Sequence, residues 1–164
     1  TDWRATAEQR GYIVISPAAP EGRLYFEEGA RIFPAFLDQI LRSYKVDGGK
    51  LHVTGHSNGG LSAFHIASLF PQYFVSVTGY PGLLNISPSE RLAALQPLCL
   101  YMHVGEQDPS WLRSMQGQYT LLKQRGANIQ FTVEKGQGHR LDVNRDNLLA
   151  RLVGGIERAR AGCP

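Results

Sequence analysis

The segment Gly55-His56-Ser57-Asn58-Gly59-Gly60 contains the residues best suited to do chemistry. It follows a short apolar run and precedes a helix-like stretch, so a strand is predicted to turn into a helix there. Glycines two positions either side of a serine allow a strained turn, because glycine lacks the Cβ atom that would clash. The turn would expose the Ser57 hydroxyl as a nucleophile. The backbone N–H of Asn58, at the helix N-terminus, would then face a developing oxyanion.

A serine hydroxyl needs a base, and the base needs an acid that orients it. The predicted strand Leu98–Val104 is followed by G-E-Q-D, which ends at Asp108. The predicted strand Asn128–Glu134 is followed one residue later by G-Q-G-H, which ends at His139. Active groups in parallel sheets lie at the carboxyl ends of the strands. We therefore expect His139 to be the base for Ser57 and Asp108 to be the orienting acid.

Other interpretations stay open for these residues. Ser57 could be an ordinary residue of a glycine-rich turn, and His139 a loop histidine without a partner. Asp108 precedes a proline and could simply cap the next helix, since aspartate is favoured at helix N-caps, which leaves Glu106 as the alternative acid. The remaining histidines do not share a metal-ligand spacing, which favours structural roles and no metal site; they are His52, His56, His65 and His103.

The elements that must position these residues alternate between strand and helix. Strands are predicted at Tyr12–Ser16, Leu51–Thr54, Phe74–Thr78, Leu98–Val104 and Asn128–Glu134. Helices are predicted at Ala30–Tyr44, Asn58–Phe70, from a capping box at Ser87-Pro88-Ser89-Glu90 to Leu95, at Pro109–Arg125 and at Leu141–Arg160, with a loop over Pro17–Gly29. This alternation predicts an α/β fold, in which a mostly parallel sheet of about five strands carries helices on both faces. No linker divides the chain, so residues 1–164 are predicted to be one domain.

Composition argues against several other classes of protein. The 164 residues are 43% hydrophobic and 19% charged, which is typical of a folded globular chain. A net charge of +3 is too small and scattered to indicate nucleic-acid binding, and no apolar run is long enough to span a bilayer. Cys99 lies in an apolar run and Cys163 near the end, which predicts two free thiols and favours a cytoplasmic protein.

The three motifs, G-H-S-N-G-G, G-E-Q-D and G-Q-G-H, make the chain resemble the α/β-hydrolase superfamily, in particular its small carboxylesterase-like and prolyl-oligopeptidase-like members. The resemblance runs from Tyr12 to the last helix. It implies a serine hydrolase that cleaves a small-molecule ester or thioester through an acyl-enzyme on Ser57, with His139 as base, Asp108 as acid and no cofactor. The alternatives are a non-catalytic hydrolase-fold binding module and the C-terminal part of a prolyl-oligopeptidase-like peptidase.

The resemblance also implies a truncated α/β-hydrolase fold. In that family, a further strand and an oxyanion loop of the His-Gly type precede the part that resembles Trp3 to Ser16. An empty strand position would leave backbone groups unpaired. We therefore expect a complementing N-terminal segment, a homodimer, or loss of activity in the isolated chain. Leu83 and Leu84 could line an acyl pocket, or they could pack a helix against the sheet.

Overall fold

Four parallel strands and the helices between them make up the part of the chain that the computed structural model describes, residues 2–19, 24–27 and 29–163. In chain order the elements are α1 (Asp2–Arg10), α2 (Phe33–Ser43), β1 (Leu51–Gly55), α3 (Asn58–Leu69), β2 (Phe74–Gly79), α4 (Ser89–Leu95), β3 (Cys99–Gly105), α5 (Pro109–Gln124), β4 (Asn128–Glu134) and α6 (Leu148–Arg160). None of the helices in these ranges has the length and apolar character needed to cross a bilayer.

The strands lie in the order β1-β2-β3-β4, and each neighbouring pair is parallel. The last residues of adjacent strands pair with each other, Gly55 with Gly79 and Gly105 with Glu134. The turns that follow β1, β3 and β4 therefore open at one edge of the sheet. The α/β architecture predicted from the sequence is confirmed.

The inner strand β3 is buried along its whole length. Leu100, Met102 and Val104 belong to the large core that also contains side chains of α2, α3, α4 and α5. Cys99 and Tyr101 alternate with these residues and pack in a smaller cluster with Ala159 of α6. Helices cover both faces of a continuous apolar strand, as expected for a parallel sheet.

The predicted strand at Tyr12–Ser16 is wrong, and the sheet formed by the described residues has four strands rather than five. The segment is exposed, with 60%, 54% and 41% of the surface of Ile13, Val14 and Ile15 open to solvent. A β-branched run favours extended backbone, but a strand also needs a neighbour that completes its hydrogen bonds. No described strand lies beside it. The predicted loop from Pro17 to Gly29 falls partly on residues 20–23 and 28, which lie outside the described residues.

Two helix starts also differ from the prediction. The capping box does not form: α4 follows Pro88 without a side-chain cap, and the Ser87 hydroxyl donates to the Leu84 carbonyl instead, at 3.4 Å. The last helix begins at Leu148 because Asp146 and Asn147 have φ angles of +51° and +56°. These left-handed conformations interrupt any helix that would start at Leu141.

Cys99 and Cys163 form a disulfide, so the prediction of two free thiols is wrong. The bond joins the start of β3 to the residues just after α6, across 64 positions of sequence. An apolar run buries a half-cystine as readily as a thiol, so the local pattern around Cys99 could not distinguish them. Only the packing of α6 on the sheet brings the two sulfur atoms together.

Candidate active site

Ser57 occupies a sharp turn between β1 and α3, with φ of +55° and ψ of −118°. Of the two glycines predicted to permit this turn, only Gly55 is needed for steric reasons, because a Cβ atom on Gly59 would meet nothing within 4 Å; the next residue, Gly60, is needed as well. A Cβ atom on Gly55 would lie 2.0 Å from the Gly59 carbonyl oxygen, and one on Gly60 would lie 2.2 Å from the Pro81 carbonyl oxygen. The Ser57 backbone N–H donates to that same Pro81 oxygen at 2.9 Å. The predicted strand-turn-helix geometry is therefore present, and it holds Ser57 at the edge of the sheet.

Three side chains that are far apart in sequence meet at this edge. Ser57 Oγ lies 2.7 Å from His139 Nε2, and His139 Nδ1 lies 2.6 Å from Asp108 Oδ2. An ionised carboxylate only accepts hydrogen bonds, so His139 Nδ1 carries a proton and donates it to Asp108. In the neutral imidazole, Nε2 then accepts from the Ser57 hydroxyl. Asp108 is 11% exposed and His139 42% exposed at the side chain, so the chain of hydrogen bonds runs from a protected carboxylate to an open rim.

The turns after β3 and β4 are tied to each other, which fixes where Asp108 and His139 lie. The backbone N–H of Gln107 donates to the Gln137 carbonyl at 2.8 Å. Glu106, the alternative acid in the sequence, accepts from the backbone N–H of Gly136 at 2.9 Å through its carboxylate. Glu106 therefore holds the histidine loop, whereas Asp108 contacts the imidazole.

Asp108 does lie at the N-cap position of α5, but its side chain makes no capping hydrogen bond. Its carboxylate is directed to His139 instead. The structure thus separates the two roles that the sequence left open for this residue.

The backbone N–H of Asn58 is the first of α3 and follows Ser57 directly. The Gly59 N–H next to it donates to the His56 carbonyl at 2.8 Å. Within the described residues, the Asn58 N–H has no acceptor. It is therefore free to donate to a negative charge that develops near Ser57 Oγ.

Leu83 and Leu84, the other predicted substrate contacts, lie after β2. Leu84 is 1% exposed and belongs to the core. Its backbone N–H and carbonyl are both bound by the buried Gln118 side chain, at 2.8 and 2.9 Å. Leu83 is half-buried against the same core. This geometry favours the packing alternative for Leu84 and leaves part of Leu83 exposed.

Two aromatic residues that the sequence does not mark as site residues, His56 and Trp111, lie beside His139. The ring centroids of Trp111 and His56 lie 5.2 and 5.7 Å from that of the His139 imidazole. His56 Nε2 is also 3.2 Å from the backbone carbonyl oxygen of His139. Trp111 lies in the first turn of α5. The only sequence signal that these two residues lie near His139 is their closeness in sequence to other site residues: His56 precedes Ser57, and Trp111 follows Asp108 by three positions.

A second ionic cluster stabilises the ends of β3 and β4 on the α6 side. Glu134 accepts hydrogen bonds from His103 Nδ1 at 2.9 Å and from two nitrogens of Arg151 at 2.8 and 2.6 Å. Burial raises the pKa of Glu134, but the bonds from His103 and Arg151 outweigh burial and hold that pKa at about 2. The cluster joins α6 to the two strands whose following turns contain Asp108 and His139. Among the described residues, no three His, Cys, Asp or Glu side chains form a group that could hold a metal ion.

Comparison with known proteins places this fold among esterases. A family model named Esterase and described as "Putative esterase" matches residues 32–151. A search of the curated proteins finds no match. Among solved structures, the chain is similar to an uncharacterized protein from Bacillus cereus ATCC 10987, with a TM-score of 0.79 and 17% identity over 95% of this chain and 54% of that one.

Two further solved structures are similar in fold. Acyl-protein thioesterase 2 of Zea mays has a TM-score of 0.63 and 18% identity over 88% of this chain and 70% of that chain. The enterobactin esterase FES of Shigella flexneri has a TM-score of 0.57 and 21% identity over 78% and 37%. The chain spans about half the length of the Bacillus cereus protein. The match to the family model includes Ser57, Asp108 and His139 and extends over most of the sequence, so the chain belongs to this esterase family, with a fold of the α/β-hydrolase type.

Proposed function

We propose that this chain carries the reacting groups of a serine hydrolase that cleaves an ester or thioester through an acyl-enzyme on Ser57. The observation that supports this most directly is the unbroken pair of hydrogen bonds from Ser57 Oγ through the His139 imidazole to the Asp108 carboxylate. A serine, a histidine and an acid in this arrangement are the groups that nucleophilic acyl transfer requires.

In the first step, Ser57 Oγ attacks the carbonyl carbon of the substrate while His139 Nε2 takes the hydroxyl proton. The new Oγ–C bond places negative charge on the former carbonyl oxygen, and the Asn58 N–H donates to it. Asp108 stabilises the imidazolium that forms. The intermediate collapses as the bond to the leaving group breaks, and His139 returns its proton to the departing alcohol or thiol. The acyl group remains on Ser57.

In the second step, water replaces the leaving group. His139 Nε2 takes one proton from water as the water oxygen attacks the acyl carbon. The Oγ–C bond then breaks, and the same proton returns to Ser57 Oγ. The products are a carboxylic acid and the free enzyme, so no oxidant, reductant or cofactor is consumed.

The position of the site favours a small or accessible substrate. The His139 side chain is 42% exposed, and α4 takes up part of the short connection between β2 and β3. That connection has no room for a large lid over Ser57. Small-molecule esters and thioesters are therefore the proposed substrates.

We also propose that polypeptide beside β1 completes the oxyanion site, either as an N-terminal segment or as a second copy of the chain. β1 is at the edge of the described sheet, and its residues are only partly buried. The exposed apolar side chains of Ile13, Val14 and Ile15 offer a second surface that an added strand could cover. One oxyanion donor typically changes the rate by about 10² to 10³, so polypeptide that supplies a second donor beside β1 is expected to raise the rate by that factor.

A fluorophosphonate probe tests the proposed function. The intact protein should form one adduct, on Ser57, and Ser57→Ala should form none while retaining its fold by circular dichroism. Absence of an adduct on Ser57 in the folded wild-type protein would contradict the mechanism and favour the non-catalytic binding module.

Substrate class is decided by comparing turnover of matched ester, thioester and peptide bonds with the same acyl group. We expect measurable hydrolysis of the ester and thioester. Preference for the peptide would instead support the prolyl-oligopeptidase-like alternative.

A further inference from the structure

His56 and Ser57 both contact His139. The Ser57 side chain contacts the imidazole, whereas the His56 side chain contacts the backbone carbonyl. Its Nε2 atom lies 3.2 Å from the carbonyl oxygen of His139. A carbonyl oxygen only accepts hydrogen bonds, so His56 Nε2 carries a proton and donates it. The adjacent residues His56 and Ser57 therefore hold His139 at two points, one on its main chain and one on its imidazole.

The other contacts to the backbone of the histidine loop lie before and after His139. Gly136 donates to Glu106, Gln137 accepts from Gln107, and the Asp142 N–H donates to the Gln137 side chain at 2.7 Å. Within the described part of the chain, only His56 donates to the His139 carbonyl. The position of this one peptide group therefore depends on His56.

The surroundings of the His56 ring hold it in place and favour its neutral form. It is half-buried and lies against Tyr80, with ring centroids 5.8 Å apart. Burial lowers the pKa of His56 below its usual value, and the nearby His139 and Arg140 lower it further against the opposing effect of the bond to the His139 carbonyl. A neutral donor holds the loop without adding a second positive charge beside the imidazolium that His139 forms during the reaction.

We propose that His56 is a positioning residue for the reaction: its Nε2–H fixes the backbone of His139 so that the imidazole stays aligned with Ser57 Oγ. This inference rests on the proposed function of Ser57 and His139. Small errors in the placement of a reacting group lower the rate of the chemical step more than they lower substrate binding. The effect of losing His56 should therefore fall on kcat.

Three variants of the intact protein test this role. His56→Phe keeps an aromatic ring against Tyr80 but removes the donor, and His56→Gln restores a neutral N–H donor of similar reach. His65→Phe is the matched control, because His65 is also partly buried, has a pKa lowered by burial and lies in α3 without a bond to the loop. Hydrolysis of p-nitrophenyl acetate, fluorophosphonate labelling of Ser57 and the NMR resonance of the His139 Nδ1 proton are measured for each.

We expect His56→Phe to lower kcat about tenfold with KM almost unchanged, and to shift or broaden the His139 Nδ1 resonance. His56→Gln should restore kcat to within about threefold of the wild type, and His65→Phe should behave as the wild type. If His56→Phe fails to fold, His56→Asn replaces it, since its amide is too short to reach the carbonyl.

The outcomes separate this inference from the proposed function. If the wild type labels at Ser57 and the donor-free variant equals it in kcat and in the His139 resonance, the positioning role is wrong and the proposed function stands. If the wild type does not label, the proposed function fails, and the positioning role is then tested by the His139 Nδ1 resonance alone. An unchanged resonance in His56→Phe would overturn the positioning role as well. A loss in His56→Phe that His56→Gln does not restore also overturns it, because the donor would then not be the property that matters.

Discussion

Asp108 accepts a hydrogen bond from His139 Nδ1 at 2.6 Å, although 31 positions of sequence separate the two residues. The carboxylate fixes which imidazole nitrogen carries the proton, so the other nitrogen is left to accept from Ser57. Glu106 lies two positions earlier on the same turn but bonds the backbone of Gly136. The carboxylates of Glu106 and Asp108 therefore bind different partners, the loop backbone and the imidazole. Substitution of each one should affect hydrolysis differently.

Asp108→Asn should reduce ester hydrolysis by about 10³ to 10⁴, because an amide can donate to Nδ1 and so favours the wrong tautomer of His139. Glu106→Gln is the matched control. Its amide oxygen can still accept from the Gly136 N–H, so the loss should be less than about tenfold. The measurement is kcat for p-nitrophenyl acetate. Equal losses in the two variants would show that Asp108 does not have the special role assigned to it.

Gly55→Ala should destabilise the protein by about 3 kcal/mol or prevent folding, because the new Cβ atom would lie 2.0 Å from the Gly59 carbonyl oxygen. That oxygen is backbone and cannot move without displacing the start of α3. Gly59→Ala is the control, since a Cβ there meets nothing within 4 Å and alanine favours helix. Urea denaturation should show a lower midpoint for the first variant and an unchanged or higher one for the second.

Cys163→Ser should lower the free energy of unfolding by about 2 to 4 kcal/mol, the range expected when a cross-link across 64 positions is lost. The reduced wild type should lose a similar amount, measured by guanidinium denaturation with and without dithiothreitol. The variant should be insensitive to dithiothreitol. A wild-type denaturation curve that is unaffected by complete reduction would contradict a stabilising role for the bond.

Stability should fall as the pH is lowered from about 6.5 toward about 4, partly because of His52. Burial lowers the pKa of His52 from 6.5 to about 4, with a smaller contribution from Arg160. The unfolded chain therefore binds the proton more tightly, so this contribution to stability is present above pH 6.5 and is lost as the pH falls through about 4. His52→Gln should lose less stability over this range, as measured by thermal unfolding. Parallel curves for the two proteins would show that His52 does not titrate as stated.

Much of the site was predictable because each candidate residue lies in the turn that follows a predicted strand. In parallel sheets such positions share one edge, so Ser57, Asp108 and His139 could be named together before their distances were known. The structure brings the three side chains into hydrogen-bonding contact, while their catalytic roles remain predictions for experiment. His56 and Trp111 were not predictable as neighbours of His139, since their contacts depend on how the loop after β4 folds back over α3 and α5.

By itself, the sequence determined the alternation of strands and helices and the need for glycine at position 55 before the turn at Ser57, because these depend on local sterics and on periodic burial. The tertiary structure alone decided that Tyr12–Ser16 has no strand partner, that Cys99 bonds Cys163 and that Asp108 rather than Glu106 reaches His139. Each of these depends on a partner far away in sequence, and no local pattern specifies which distant group will lie within a few ångströms.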